Sequence, residues 1–159
     1  MSGGTGSSAI EALNQRLDRW EAAQGFPPLE PPGDLSVLLA PTRESLRGMS
    51  AEECGEAALL LAQLGFHLQR LANRERTTAQ MTRERLAREV VPRTASLSYK
   101  SPEEKWHLAL SQDEGLRELE QVRCQALAQL GRIEFLASRV EQMAKLYDSL
   151  QQTKRKQHG

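Results

Sequence analysis

Nine cations crowd residues 70–105: Arg70, Arg74, Arg76, Arg83, Arg85, Arg88, Arg93, Lys100 and Lys105. Most are arginines, whose planar guanidinium grips phosphate oxygens in pairs and stacks on flat rings. Tyr99 and Trp106 flank the two lysines. Cations interleaved with aromatic rings make surfaces that hold single-stranded nucleic acid. The candidate nucleic-acid-binding residues are therefore Arg74, Arg76, Arg83, Arg85, Arg88, Arg93, Tyr99, Lys100, Lys105 and Trp106. The competing reading is a solvated helix face, with Glu75, Glu84 and Glu89 balancing the arginines at helical spacing.

Other chemistry finds no constellation. His67, His107 and His158 lie in unrelated places, and no pair of them is spaced for a metal. His67, inside an apolar stretch, reads as a histidine at the edge of a core. No glycine loop follows a strand to cradle phosphate. Cys54 and Cys124 are 70 residues apart with no CxxC, and are expected as reduced, buried thiols. No catalytic residue, metal or cofactor is expected, and the chain reads as a non-enzyme.

The 159 residues carry 21 basic and 21 acidic side chains, a formal charge of zero. That total is a cancellation between regions. Residues 1–69 hold four basic and nine acidic residues, 70–105 nine and five, and 106–159 eight and seven. A generally basic coat is excluded, while one localised basic surface remains. No charge-free run of membrane-spanning length occurs, and the Ser/Gly-rich start has no following secretory core. A cytoplasmic location is expected. Aromatics are only 4%, few for a sandwich or barrel, and Leu, Ala, Glu, Gln and Arg dominate, which favours helices.

These residues need long helices to position them. Residues 1–7 are expected to be disordered. Ser8 and Glu11 form a capping-box pair opening a helix over 8–24, with Ile10, Leu13, Leu17 and Trp20 on one face and Gly25 ending it. Four prolines between Pro27 and Pro32 make an extended tether, and residues 25–49 hold only this linker and short helical turns. Ser50 and Glu53 form a second capping box, and the chain can stay helical to Val91. That helix is apolar to Ala72 and arginine-rich beyond it. At a length on the order of 60 Å, its second half must project from the rest or pair with another long helix. Ser101, Pro102 and Glu104 start the partner, predicted over 102–152 with a weak point at Gly115 and Arg123 at one seam position. A basic tail over 153–159 is expected to fray.

The predicted fold is thus all-α: a coiled-coil-like antiparallel hairpin over 50–152 with a tethered N-terminal helix. Leu60, Leu64, Leu68, Leu119, Leu130, Ile133, Val140 and Tyr147 are its candidate core and oligomerisation residues. The apolar stripes are too wide for one hairpin to cover, so a homo-oligomer is expected.

The run Cys54-Gly55-Glu56-Ala57-Ala58-Leu59-Leu60-Leu61-Ala62-Gln63, the basic section through Arg88, Asp113-Glu114 leading into Leu116 and Leu119, and residues 132–141 continuing to Lys154-Arg155-Lys156 together resemble the UvsY-type recombination mediators of tailed phages. The resemblance is one of layout and covers about residues 45–156. It implies a small helical protein that assembles into a ring and binds single-stranded DNA. It also implies two partners: a recombinase to be loaded, and the single-stranded-DNA-binding protein covering the strand. The Lys-Trp-Glu-Tyr-Tyr kind of stretch usual in that family is replaced here by Arg83-Glu84-Arg85-Leu86-Ala87-Arg88. The alternative is a structural or adaptor coiled-coil protein with no nucleic-acid binding, its proline-tethered helix serving as a docking arm.

Overall fold

The computed structural model describes residues 4–26, 33 and 35–158. Among them every regular element is a helix: α1 (Gly4–Ala23), α2 (Ser36–Leu39), α3 (Arg43–Gly48), α4 (Ala51–Thr94), α5 (Pro102–Gln112) and α6 (Glu114–His158). The fold is all-α, and α4 and α6 pack against each other as a helical hairpin preceded by a short N-terminal helix. No described helix is long and apolar enough to cross a membrane. Two compact units divide the chain, Met1–Pro28 with Asn73–Leu130, and Leu29–Ala72 with Gly131–Gly159. The four prolines assigned to a tether lie outside the described residues.

The second unit is built on the first turns of α4 and the last turns of α6. Ser50 and Glu53 close the capping box: the Ser50 N–H donates to the Glu53 carboxylate at 2.5 Å, and the Glu53 N–H donates to the Ser50 hydroxyl at 3.1 Å. Those bonds hold the Glu53 carboxyl below its usual range. Cys54, Ala57 and Leu61 recur on one face of α4 and bury against Val140, Met143 and Tyr147 of α6. Leu38 of α2 and Leu46 of α3 roof this cluster. The buried Tyr147 hydroxyl donates to the Leu38 carbonyl at 3.2 Å, and burial, with the nearby Cys54, pushes its phenol up.

The tail expected to fray is helical to His158. The Lys154 ammonium donates to the carbonyls of Arg47, at 3.1 Å, and Met49. A basic residue recruited by these carbonyls thus pins the last turns of α6 to the C-terminal end of α3. Of the candidate core residues, only Val140 and Tyr147 are buried; Leu64, Leu68, Leu119, Leu130 and Ile133 are half-buried, and Leu60 is exposed. Two facing helices enclose only the positions at the centre of their seam, and a stripe wider than that stays wet.

In the first unit, α1 begins at Gly4, so Ser8 lies inside it. A cap contributes only about 1 kcal/mol, and no proline before Ser8 stops the helix from continuing. Its far end follows the expectation. Gly25 has φ +82, the Gly25 N–H bonds to the Ala22 carbonyl and the Phe26 N–H to the Glu21 carbonyl, a Schellman ending that needs a residue without a Cβ. Ile10 and Leu13 are half-buried, whereas Leu17 and Trp20 of the same expected face are exposed.

The hairpin tip departs most from expectation. α4 runs through Pro92 to Thr94. Pro92 forfeits one helical hydrogen bond, but this near the end the loss is local. Buried Val90 and Thr94 anchor the turn, with the Thr94 hydroxyl donating to the Val90 carbonyl at 2.9 Å. Ser101 and Glu104 form the foreseen capping box, at 2.8 and 3.2 Å, with Pro102 in the first turn. The expected single helix over 102–152 is two, broken at Asp113 rather than Gly115. Asp113 caps α6, accepting from the Leu116 N–H at 3.1 Å, and pairs with Arg93 of α4 at 2.5 Å. Leu86 and Val90 of α4, Ala109 of α5 and Leu116 of α6 bury behind it.

Asp113→Ala removes the cap and the pair together. It is expected to lower the thermal midpoint by roughly 3 °C. Arg93, with the cap bonds, holds the Asp113 carboxyl below its ordinary value of 3.8. A depressed carboxylate stabilises above its unfolded value and loses that contribution as pH falls through the folded one. Circular-dichroism melts should therefore show the gap between wild type and variant at neutral pH and a narrowing gap below that value.

Candidate nucleic-acid interface

The arginines of α4 do not form one surface. Nine residues at about 100° each put Arg83 half a turn around the helix from Arg74. Arg74, Glu75 and Thr78 line a cleft of about 450 Å³ together with Ile10, Asn14 and Gln15 of α1 and Val122, Gln125, Ala126 and Gln129 of α6. Arg74 is committed there to Asp18 of α1 at 3.0 Å. Glu75 faces Gln129, whose amide nitrogen, turned toward it, reaches both carboxylate oxygens at 3.1 and 3.2 Å. Burial raises the Glu75 carboxyl above its usual range, against the opposing pull of Arg74.

The opposite side of the seam carries an open groove of about 570 Å³. Its walls are Arg76, Ala79, Gln80, Arg83, Glu84 and Ala87 of α4 and Arg123, Leu127 and Leu130 of α6. Arg83 and Arg123 also border a neighbouring cleft of about 610 Å³, lined by Pro102, Glu103, Trp106 and His107 of α5. The capping box at Ser101 fixes the start of α5, and Ala109 buried at the hairpin core fixes its rotation. Together they set the half-buried Trp106 ring against the cluster around Leu86 and Leu116 while leaving it on the cleft wall.

The foreseen cations have different fates. Arg74 is paired with Asp18, Arg93 with Glu89 and Asp113, and Arg88 more loosely with Glu84 at 4.0 Å. Arg76 donates to the Asn73 side chain at 2.8 Å. Arg83 and Arg85 have no carboxylate or carbonyl partner among the described residues. Tyr99 is 77% exposed, and the Lys100 ammonium sits 5.5 Å from its ring centre. Lys105 is half-buried at the first turns of α5. Thus Arg83 and Trp106 share one cleft, whereas Arg74, Arg76, Arg85, Arg88, Arg93, Tyr99, Lys100 and Lys105 do not line it.

Four lining residues were not among the candidates: Pro102, Glu103, His107 and Arg123. Arg123 makes a bidentate pair with Glu120 at 2.8 and 2.6 Å, which holds the Glu120 carboxyl below its usual range. An arginine interrupting an apolar seam was the available signal. His107 is exposed beside Trp106 and gave no signal of its own. His67 is half-buried, and burial, reinforced by Arg70, lowers its imidazole. Cys54 is buried as foreseen; Cys124 is exposed, two residues from buried Ala126 and so on the far side of α6. No cluster of three or more His, Cys, Asp or Glu able to hold a metal ion occurs among the described residues. Searches against protein-family models, curated proteins and solved structures found no match to this chain.

Proposed function

We propose that this protein is a non-enzymatic mediator of DNA recombination that binds single-stranded DNA and helps load a recombinase. In this reading it works as an oligomer, on strands covered by single-stranded-DNA-binding protein. The observation that supports it best is the guanidinium of Arg83, without a carboxylate partner among the described residues, in one cleft with Trp106. A phosphate needs a cation without a carboxylate of its own, and a base needs a flat apolar face within a nucleotide's reach of that cation. Arg83 supplies the first and Trp106 the second. Arg123 borders the same cleft with part of its charge spent on Glu120. The resemblance of layout to phage mediators supplies the biological role.

Fluorescence anisotropy with a labelled oligonucleotide tests this. The protein should bind single strands at low salt and release them as salt rises, because binding displaces counterions. A duplex of the same sequence should bind more weakly, its bases being unavailable for stacking. No binding at low salt rejects the reading.

A second reading, an adaptor coiled coil without nucleic acid, is favoured by one set of contacts. Arg74, Arg88 and Arg93 are each engaged by a carboxylate, which is what a solvated structural helix does with its charges. Absence of oligonucleotide binding, with the helical fold intact, is its expected result.

A further inference from the structure

The first turns of α4 carry a second apolar face. Leu59 and Phe66 are 61% and 70% exposed. At about 100° per residue they point nearly opposite to Leu61 and the buried cluster beneath it. Ala62 and Gln63, both exposed, lie between them. The face is bounded by acid at one end, Glu52 and Glu56, and by Arg70 at the other. All of it lies within the second unit and rests on nothing in the nucleic-acid reading.

We infer that this face is covered by the same face of a second copy of the chain, running antiparallel about a two-fold axis between Ala62 and Gln63. Two observations point to this occupant. The first is the charge pattern. With the helices antiparallel, Leu59 of each copy meets Phe66 of the other, and Arg70 of each falls beside Glu56 of the other. With the helices parallel and in register, Glu52 and Glu56 would face their own copies and Arg70 would face Arg70. Like charges across a helix pair oppose that arrangement, so the pattern selects a self-complementary contact.

The second observation is apolar exposure. Leu59 and Phe66 are large apolar side chains left in water on one face, and their removal from it drives the pairing.

Light scattering coupled to size exclusion on the full chain tests the contact. Wild type should have twice the monomer mass or an even multiple of it. Phe66→Glu should weaken association at least tenfold while circular dichroism keeps its helical signal, since an exposed side chain contributes little to the fold of one copy. Arg70→Glu should weaken association several-fold, and the exchange Glu56→Arg with Arg70→Glu should restore it. A monomeric wild type, an odd-numbered assembly, an assembly indifferent to Phe66→Glu, or an exchanged pair no better than Arg70→Glu alone would each overturn the inference.

Discussion

Arg83→Glu should weaken binding of a single-stranded oligonucleotide about 10- to 100-fold at low salt and flatten its salt dependence. The variant loses one phosphate contact and places a carboxylate where that phosphate sat. A charge-assisted contact of this kind contributes about 1.5–3 kcal/mol, and each lost phosphate reduces the salt slope by somewhat less than one unit. Arg88→Glu is the internal control. Arg88 is further exposed but outside the cleft, so its reversal should cost only the few-fold loss of a general attraction. Trp106→Ala should weaken binding by a similar factor to Arg83→Glu, since stacking on one ring contributes about 1–3 kcal/mol per base, yet it should leave the salt slope intact. Anisotropy titrations at several salt concentrations separate the two signatures. Equal effects of Arg83→Glu and Arg88→Glu would reject the cleft as the binding site. Trp106 also packs on the cluster around Leu86, so its variant needs a melting curve, and Trp106→Phe should retain most of the affinity.

How much of this was legible beforehand follows from the range of each interaction. The capping boxes at Ser50 and Ser101 were readable because both partners lie within three residues. The Schellman ending at Gly25 is local for the same reason. The hairpin itself was readable because two long helical segments joined by a short break admit few other packings. What escaped depends on contacts distant in sequence. The break at Asp113 is reinforced by Arg93, twenty residues earlier. The helical tail is held by Lys154, which reaches carbonyls more than a hundred residues away. The same holds for the candidate interface. All nine arginines and lysines between 70 and 105 look alike in sequence. Asp18, 56 residues from Arg74, takes one of them out of consideration, and only the packing of α5 beside α4 and α6 brings Trp106 onto the cleft bordered by Arg83. Helical periodicity could have separated Arg74 from Arg83, but not shown which side α1 covers.

Leu61→Ala should destabilise the protein by about 2–5 kcal/mol, while Leu60→Ala, one residue earlier, should change it by about 1 kcal/mol or less. The two side chains are chemically identical and adjacent in a run of three leucines. Leu61 is fully buried among Cys54, Ala57, Val140, Met143 and Tyr147, whereas Leu60 is 39% exposed. Truncating Leu61 removes its transfer free energy and leaves a cavity that rigid neighbours cannot close. Tyr147 is tied to the Leu38 carbonyl by its hydroxyl, so it cannot swing in to fill the space without abandoning that bond. Leu60, at the margin of the seam, has water already beside it, and its truncation opens no cavity. Urea denaturation followed by circular dichroism, at one protein concentration for all variants, measures the difference. Equal losses for both would mean that Leu60 is buried in solution, and the face it borders would then be covered by another copy even in the folded reference state. Repeating the Leu60→Ala measurement at lower protein concentration separates that case, because a contribution from association falls with dilution, whereas the cavity under Leu61 costs the same at any concentration.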